Sequence, residues 1–169
     1  MKTQTGTNVD NKELFVKMVV SAWETHNARV TKLLNSLTDE QLLTETAPGR
    51  NRGIYLIGHL TSVSDALFTL LGWGERLYPH LEAIFLENPD KSGLEIPSAK
   101  EIREYWNTVS TKVSGHINKM QPDEWFTKHS TISEEDFVKE PHRNKLNILI
   151  NRTNHMSNHL GQLIYLEKK

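Results

Sequence analysis

The chain has 169 residues, 37% of them hydrophobic, and a formal net charge of −1 from 20 Lys and Arg against 21 Asp and Glu. That is one domain's length, enough to bury about two-thirds of the unfolded surface; the apolar content is on the low side, but its clustering, the aromatics and the near-zero net charge are not those of a disordered chain. A balanced charge with no basic stripe speaks against a nucleic-acid partner. The absence of cysteine excludes disulfides, thiolate ligation and a cysteine nucleophile.

Residues 1–10 read as a disordered leader, polar and without the apolar core of a secretory signal; residues 11–169 read as a single domain. Asp10 or Asn11 caps a first helix over about 12–37, in which Phe15, Val19, Ala22, His26, Val30, Leu33 and Leu37 recur at spacings of three and four. Thr38-Asp39-Glu40-Gln41 has the form of a capping box, and Pro48-Gly49 marks a loop over 44–52. A second, strongly apolar helix runs over about 53–72 and ends at Gly72, Gly74 and Pro79. A short helical piece near 79–87 and a polar connection to Pro97 follow. Ser98 to Glu101 forms another capping box and opens a third helix reaching about Met120. The stretch 122–141 is irregular, with a turn at Ser133 to Asp136, and a fourth helix spans about 142–167.

No segment alternates with period two, so the fold class is all-α, and four long helices suggest a four-helix bundle. The long link between the second and third helices leaves simple up-down order open. No window is apolar for 18 residues, so no membrane span is expected; the setting expected is cytoplasmic.

Eight histidines are present, and the informative pair is His155 and His159. Residues four apart share one helical face with Cβ atoms about 6 Å apart, which lets two imidazoles reach one ion through bonds of about 2.1 Å. The pair alone is weak, since eight random histidines in a chain of this length give about 0.4 such pairs by chance. The pair lies on a stripe with Ile148, Arg152 and Leu163, where two unpartnered imidazoles facing inward would need hydrogen-bond partners. On the second helix, His59 follows Gly58, whose cost of about 1 kcal/mol relative to Ala makes sense if another helix approaches closely there. Taken alone, His59 reads more naturally as a satisfied core histidine, and His26 as a core or pocket histidine. His80, His116, His129 and His142 read as surface residues.

Gly58-His59-Leu60 together with His155-Met156-Ser157-Asn158-His159-Leu160-Gly161-Gln162-Leu163 resembles the DinB/YfiT-like superfamily. The resemblance implies a DinB-like four-helix bundle with a long crossover and short extra helical turns, often a homodimer. It also implies a divalent transition metal held by His59, His155 and His159. Zinc or nickel is the first expectation for that ion, with manganese or iron next. The activities implied are transfer of a low-molecular-weight thiol or metal-dependent hydrolysis of a small-molecule substrate; the alternative is a non-catalytic, dimeric metal- or ligand-binding bundle in stress response.

A zinc-peptidase reading fails because Met156 stands where the general-base glutamate would follow the first histidine. Glu24, Asp65 and Tyr55 are conceivable bases, each read as a surface or supporting residue, so no catalytic side chain is assigned. No Gly-rich phosphate or dinucleotide motif is present. Trp23, Trp73, Trp106 and Trp125 read as packing residues, Trp73 as a plug at a helix end.

Overall fold

The computed structural model describes residues 10–168. The leader expected over 1–10 therefore lies outside the described residues, except for Asp10, whose carboxylate accepts from the Lys12 N–H at 3.0 Å and caps the first helix. Eight α-helices follow: α1 Asn11–Ser36, α2 Asp39–Leu43, α3 Gly53–Asp65, α4 Leu67–Leu70, α5 Leu81–Phe85, α6 Ala99–Ile117, α7 Glu134–Lys139 and α8 Lys145–Leu163. The protein is 67% helical, and two isolated bridges, Glu45 with Arg52 and Lys128 with Asn144, are the extended pairing among the described residues. The fold is the all-α bundle that the periodicity predicts. The Thr38 and Ser98 capping boxes form as read, and the turn at Ser133 opens the short α7.

Helices α1, α3, α6 and α8 make the bundle. Helix α1 packs on α8 and α6, and α3 packs on the same two from across the core. Directions follow from the side chains that meet. Trp106 of α6 donates to Thr31 of α1 at 2.9 Å, and Arg103, one turn earlier, donates to Leu37 O at 2.7 Å, so α1 and α6 are antiparallel. Phe15 and Ala22 share a groove with Ile150 and Asn154, and Ser36 lies 3.3 Å from Glu167, so α1 and α8 are parallel. Phe68, past the end of α3, packs edge-on against His116 near the end of α6, which makes that pair parallel. The order is up, down, down, up, and the 66–98 segment is the crossover that permits it.

The core stripe of α1 is the predicted one at Val30, Leu33 and Leu37, all buried, but in the first half of the helix it sits one residue further on: Val16 and Trp23 are buried, whereas Phe15 is 48% exposed and Ala22 is exposed. Both registers fit a 3.6-residue period, and the apolar run from Leu14 to Val20 contains each of them. Helix α3 is the central element: of its thirteen residues, all but His59 are buried. Its apolar composition on all sides is what a helix surrounded by neighbours requires.

Candidate metal centre

The three histidines singled out from sequence converge. Their ring nitrogens form a group lying within 4.8 Å of one another, and no carboxylate joins it among the described residues. The Nε2 atom of His155 stands 3.1 Å from Nε2 of His59 and 2.9 Å from Nε2 of His159. Nitrogens sharing one ion through bonds of about 2.1 Å stand about 3.0 to 3.4 Å apart, so the spacing suits a common ion.

The helices place these side chains for local reasons. His155 and His159 lie on the flank of α8 beside its buried stripe of Leu149, Thr153, Met156, Leu160 and Leu163, four residues apart as the helix requires. His59 comes from α3 across the interface. Gly58 lets the crossover close on that point, because a Cβ there would lie 2.3 Å from the fully buried Phe85 ring. The close approach expected beside His59 is real, but it is made by α5 of the crossover rather than by a bundle helix. It brings the Phe85 carbonyl to 2.8 Å from His59 Nδ1.

Counting protons shows what the cluster lacks. A carbonyl can only accept, so Nδ1 of His59 carries the proton and the neutral ring turns a lone pair at Nε2 inward. Nδ1 of His159 faces Oε1 of Gln162 at 3.2 Å, which fixes the same tautomer. His155 then faces two lone pairs with one nitrogen, and its own Nδ1 is buried without a protein partner. A proton on His155 Nε2 can serve one neighbour well, not both; a cation among the three lone pairs serves all of them. The donor set therefore fits a divalent transition metal. Burial pushes the His155 pKa down to about 4, with His159, His59 and Arg152 adding to the effect. Burial likewise lowers His159, partly opposed by Gln162. Burial thus favours, in His155 and His159, the neutral form that coordination needs.

Around the triad, Tyr55 is buried, lies face-on to His59 at 6.4 Å, and donates its hydroxyl to Asn88 O at 2.7 Å. Its proton is committed, so it is a brace rather than a base. A cavity of about 540 Å³ opens beside His159, walled by Thr46, Arg50 and Asn51 of the loop before α3 and by Gln162 and Tyr165. Gly49 turns that loop with a φ of 74°, a conformation suited to glycine. Arg152, one turn before His155, is half-buried. It has neither an ion pair nor a hydrogen bond among the described residues, and its Nε is sealed from solvent.

Other sequence readings are redistributed. Half-buried His26 turns to Ala22 O of its own helix at 2.9 Å and does not join the cluster. His129, read as a surface residue, is 7% exposed and stands 3.0 Å from the Thr131 hydroxyl. His116, also read as a surface residue, stacks on Trp73 at 5.0 Å, which makes Trp73 the expected plug. Asp65 is fully buried and binds the Leu77 and Tyr78 N–H groups, away from the triad. Sequence reasoning missed the Phe85 carbonyl and the cavity loop, since backbone groups and crossover packing carry no periodic signal. It placed Arg152 on the stripe of His155 and His159, through the i, i+3, i+7 relation, but gave it no role.

Fold and cluster together define an all-α bundle protein with three histidines gathered at the α3–α8 interface. The chain belongs to the DinB superfamily, whose model matches residues 22–163. Among solved structures it is similar to a conserved protein from Enterococcus faecalis, at 14% identity and a TM-score of 0.61, over 90% of this chain and 94% of that one. No curated protein sequence matches it.

Proposed function

We propose that His59, His155 and His159 hold one divalent transition metal and that the protein transfers a low-molecular-weight thiol to a small electrophilic substrate. The observation that supports this most is the meeting of three imidazole nitrogens whose lone pairs outnumber the protons able to satisfy them. A divalent ion bound there supplies Lewis acidity, lowering the pKa of a coordinated thiol or water. The protein's own groups do the rest: the Phe85 carbonyl and Gln162 fix two ring tautomers, and the loop before α3 leaves a cavity beside His159 for a small molecule. No carboxylate joins the cluster among the described residues, and the Tyr55 hydroxyl is committed. A thiol of pKa about 8.5 needs less help to ionise than water, which favours thiol transfer over hydrolysis. The reading includes a cytoplasmic setting, where small thiols are kept reduced. It also includes a homodimer, for which the exposed Phe15 and Met18 of α1 offer apolar surface. No helix among the described residues is long and apolar enough to cross a membrane.

The test begins with metal analysis of protein purified without chelators or immobilised-metal columns. Metal-loaded protein is then incubated with a panel of cellular thiols and a chlorinated dinitrobenzene. Turnover that needs both metal and thiol is expected, and it should vanish with a chelator. Faster thiol-independent ester cleavage would make the protein a hydrolase; metal uptake without turnover of either kind would make it a binding protein.

A further inference from the structure

Arg152 is a half-buried charge with no ion pair and no hydrogen bond among the described residues. Its Nε is sealed from solvent without a partner, and no acid offsets the burial of its guanidinium. The two terminal nitrogens are not among the sealed atoms, so they are what a molecule entering from solvent would meet. Taking even part of a guanidinium out of water without an anion is unfavourable, and other half-buried arginines among the described residues each have one. Arg52 is paired with Asp90 at 2.6 Å, Arg76 with Glu82 at 2.5 Å and Arg103 with Asp39 at 3.1 Å. Arg152 and His155 are three apart on one helix, a separation that puts Cβ atoms about 5–6 Å from each other. A divalent ion on three neutral imidazoles beside this guanidinium would leave three positive charges and no carboxylate to balance them.

We infer that Arg152 binds an anionic group, a carboxylate or phosphate, of the same small molecule whose other end occupies the histidine site. This rests on the metal reading above and adds to it the charge of the substrate: an acidic thiol, not a neutral or cationic one. A planar guanidinium offers two parallel N–H donors that match an oxyanion.

The probes are 3-mercaptopropionate and 2-mercaptoethanol, titrated into cobalt(II)-loaded protein while the thiolate-to-cobalt absorption is followed, with inorganic phosphate as competitor. The wild type should bind the acidic thiol about tenfold more tightly than the neutral one, an increment in the range of a charge-assisted hydrogen bond. In Arg152→Met, which keeps the apolar stem, that preference should disappear while cobalt affinity and the Kd for 2-mercaptoethanol stay as they were. Arg152→Lys should recover part of it, and Arg29→Gln, an exposed charge on α1, should change nothing. Competition by phosphate would extend the anion to phosphates, and its absence would restrict it to carboxylates. A preference that survives in Arg152→Met, or is missing from the wild type, overturns the assignment, as does a fall in Tm with unchanged relative affinities. Failure to take up cobalt would overturn the metal reading alone. Thermal shifts of metal-free protein then decide Arg152: a rise in Tm with 3-mercaptopropionate in the wild type but not in Arg152→Met supports it, and no rise in either overturns it.

Discussion

Two polar clusters border α3, and they differ in how completely the protein satisfies them. At its C-terminal end Asp65, 0% exposed, accepts the Leu77 and Tyr78 N–H groups at 2.8 and 2.9 Å. Arg76 binds Ser62 and Glu82, and the one nitrogen it leaves unbonded, Nε, lies 3.8 Å from the Asp65 carboxylate. Two turns earlier, His59 enters a group in which lone pairs face lone pairs and a neighbouring guanidinium has no anion. The first cluster is closed on itself and ties the crossover to the bundle. The second, on the metal reading proposed above, is completed by something other than protein. Buried polar groups in folded proteins are overwhelmingly paired, so the exceptions point to where a ligand belongs.

The largest effect expected of this contrast is on stability. Asp65→Ala strands two backbone N–H groups and weakens the hold on Arg76, and should cost about 3–5 kcal/mol in denaturant unfolding. The histidines should behave in the opposite way. Replacing any one of the three by Ala should change metal-free stability by no more than about 1 kcal/mol. Metal affinity should fall by more than the roughly 10–100-fold that follows loss of an outer-shell partner. His80→Ala should keep its metal and its stability. His129→Ala should keep its metal but lose stability, because His129 is buried. Equal metal occupancy in all five histidine variants would erase the distinction between the two clusters.

Much of this was legible in the sequence. The capping boxes at Thr38 and Ser98 act within a few residues and form as read. The His155–His159 pair needed only the helical period, and His59 needed the family resemblance. The remainder depended on contacts between distant segments. Val30, Leu33 and Leu37 are buried as read, but nothing local distinguishes Val16 and Trp23 from Phe15 and Ala22 in the first half of α1; the choice is made by what packs against it. Asp65 was read as a surface or supporting residue because its partners, Leu77 and Tyr78, present backbone amides that no side-chain pattern announces. His129 lies in an irregular segment where burial has no period to reveal it.

Gly58 is where the crossover and the site are mechanically joined, and a methyl group there should affect both. In Gly58→Ala the new Cβ would sit 2.3 Å from a ring that is itself 0% exposed, so α5 must move back and carry the Phe85 carbonyl away from His59. Overpacking of this kind costs about 1–3 kcal/mol, although alanine is otherwise the better helix former. Metal affinity should fall with it, by up to the roughly 10–100-fold of a lost outer-shell partner. Calorimetric metal titration beside thermal melts checks both effects; a variant that is more stable, with metal affinity intact, would show that α5 does not position His59.

The smallest expected effect is on the pH dependence of the metal-free protein, and its sign follows from burial. In the fold the His155 pKa is held near 4, and His159 is shifted the same way, whereas in the unfolded chain both titrate near about 6.5. Above that value neither state binds the proton and the full stability is present. As pH falls through the window between about 6.5 and 4, the unfolded chain takes up protons that the native state refuses, so stability is lost. The rings are only half-buried, which screens the effect to something on the order of 1 kcal/mol. His129, lowered mainly by its own burial, contributes in the same direction, so the wild-type curve cannot be assigned to the cluster by itself. Subtracting the His155→Ala melting curve from the wild type between pH 4 and 7 isolates the cluster's share. The variant should lose less Tm over that interval, and a difference of zero would mean that the neutral state of His155 is not enforced by the fold.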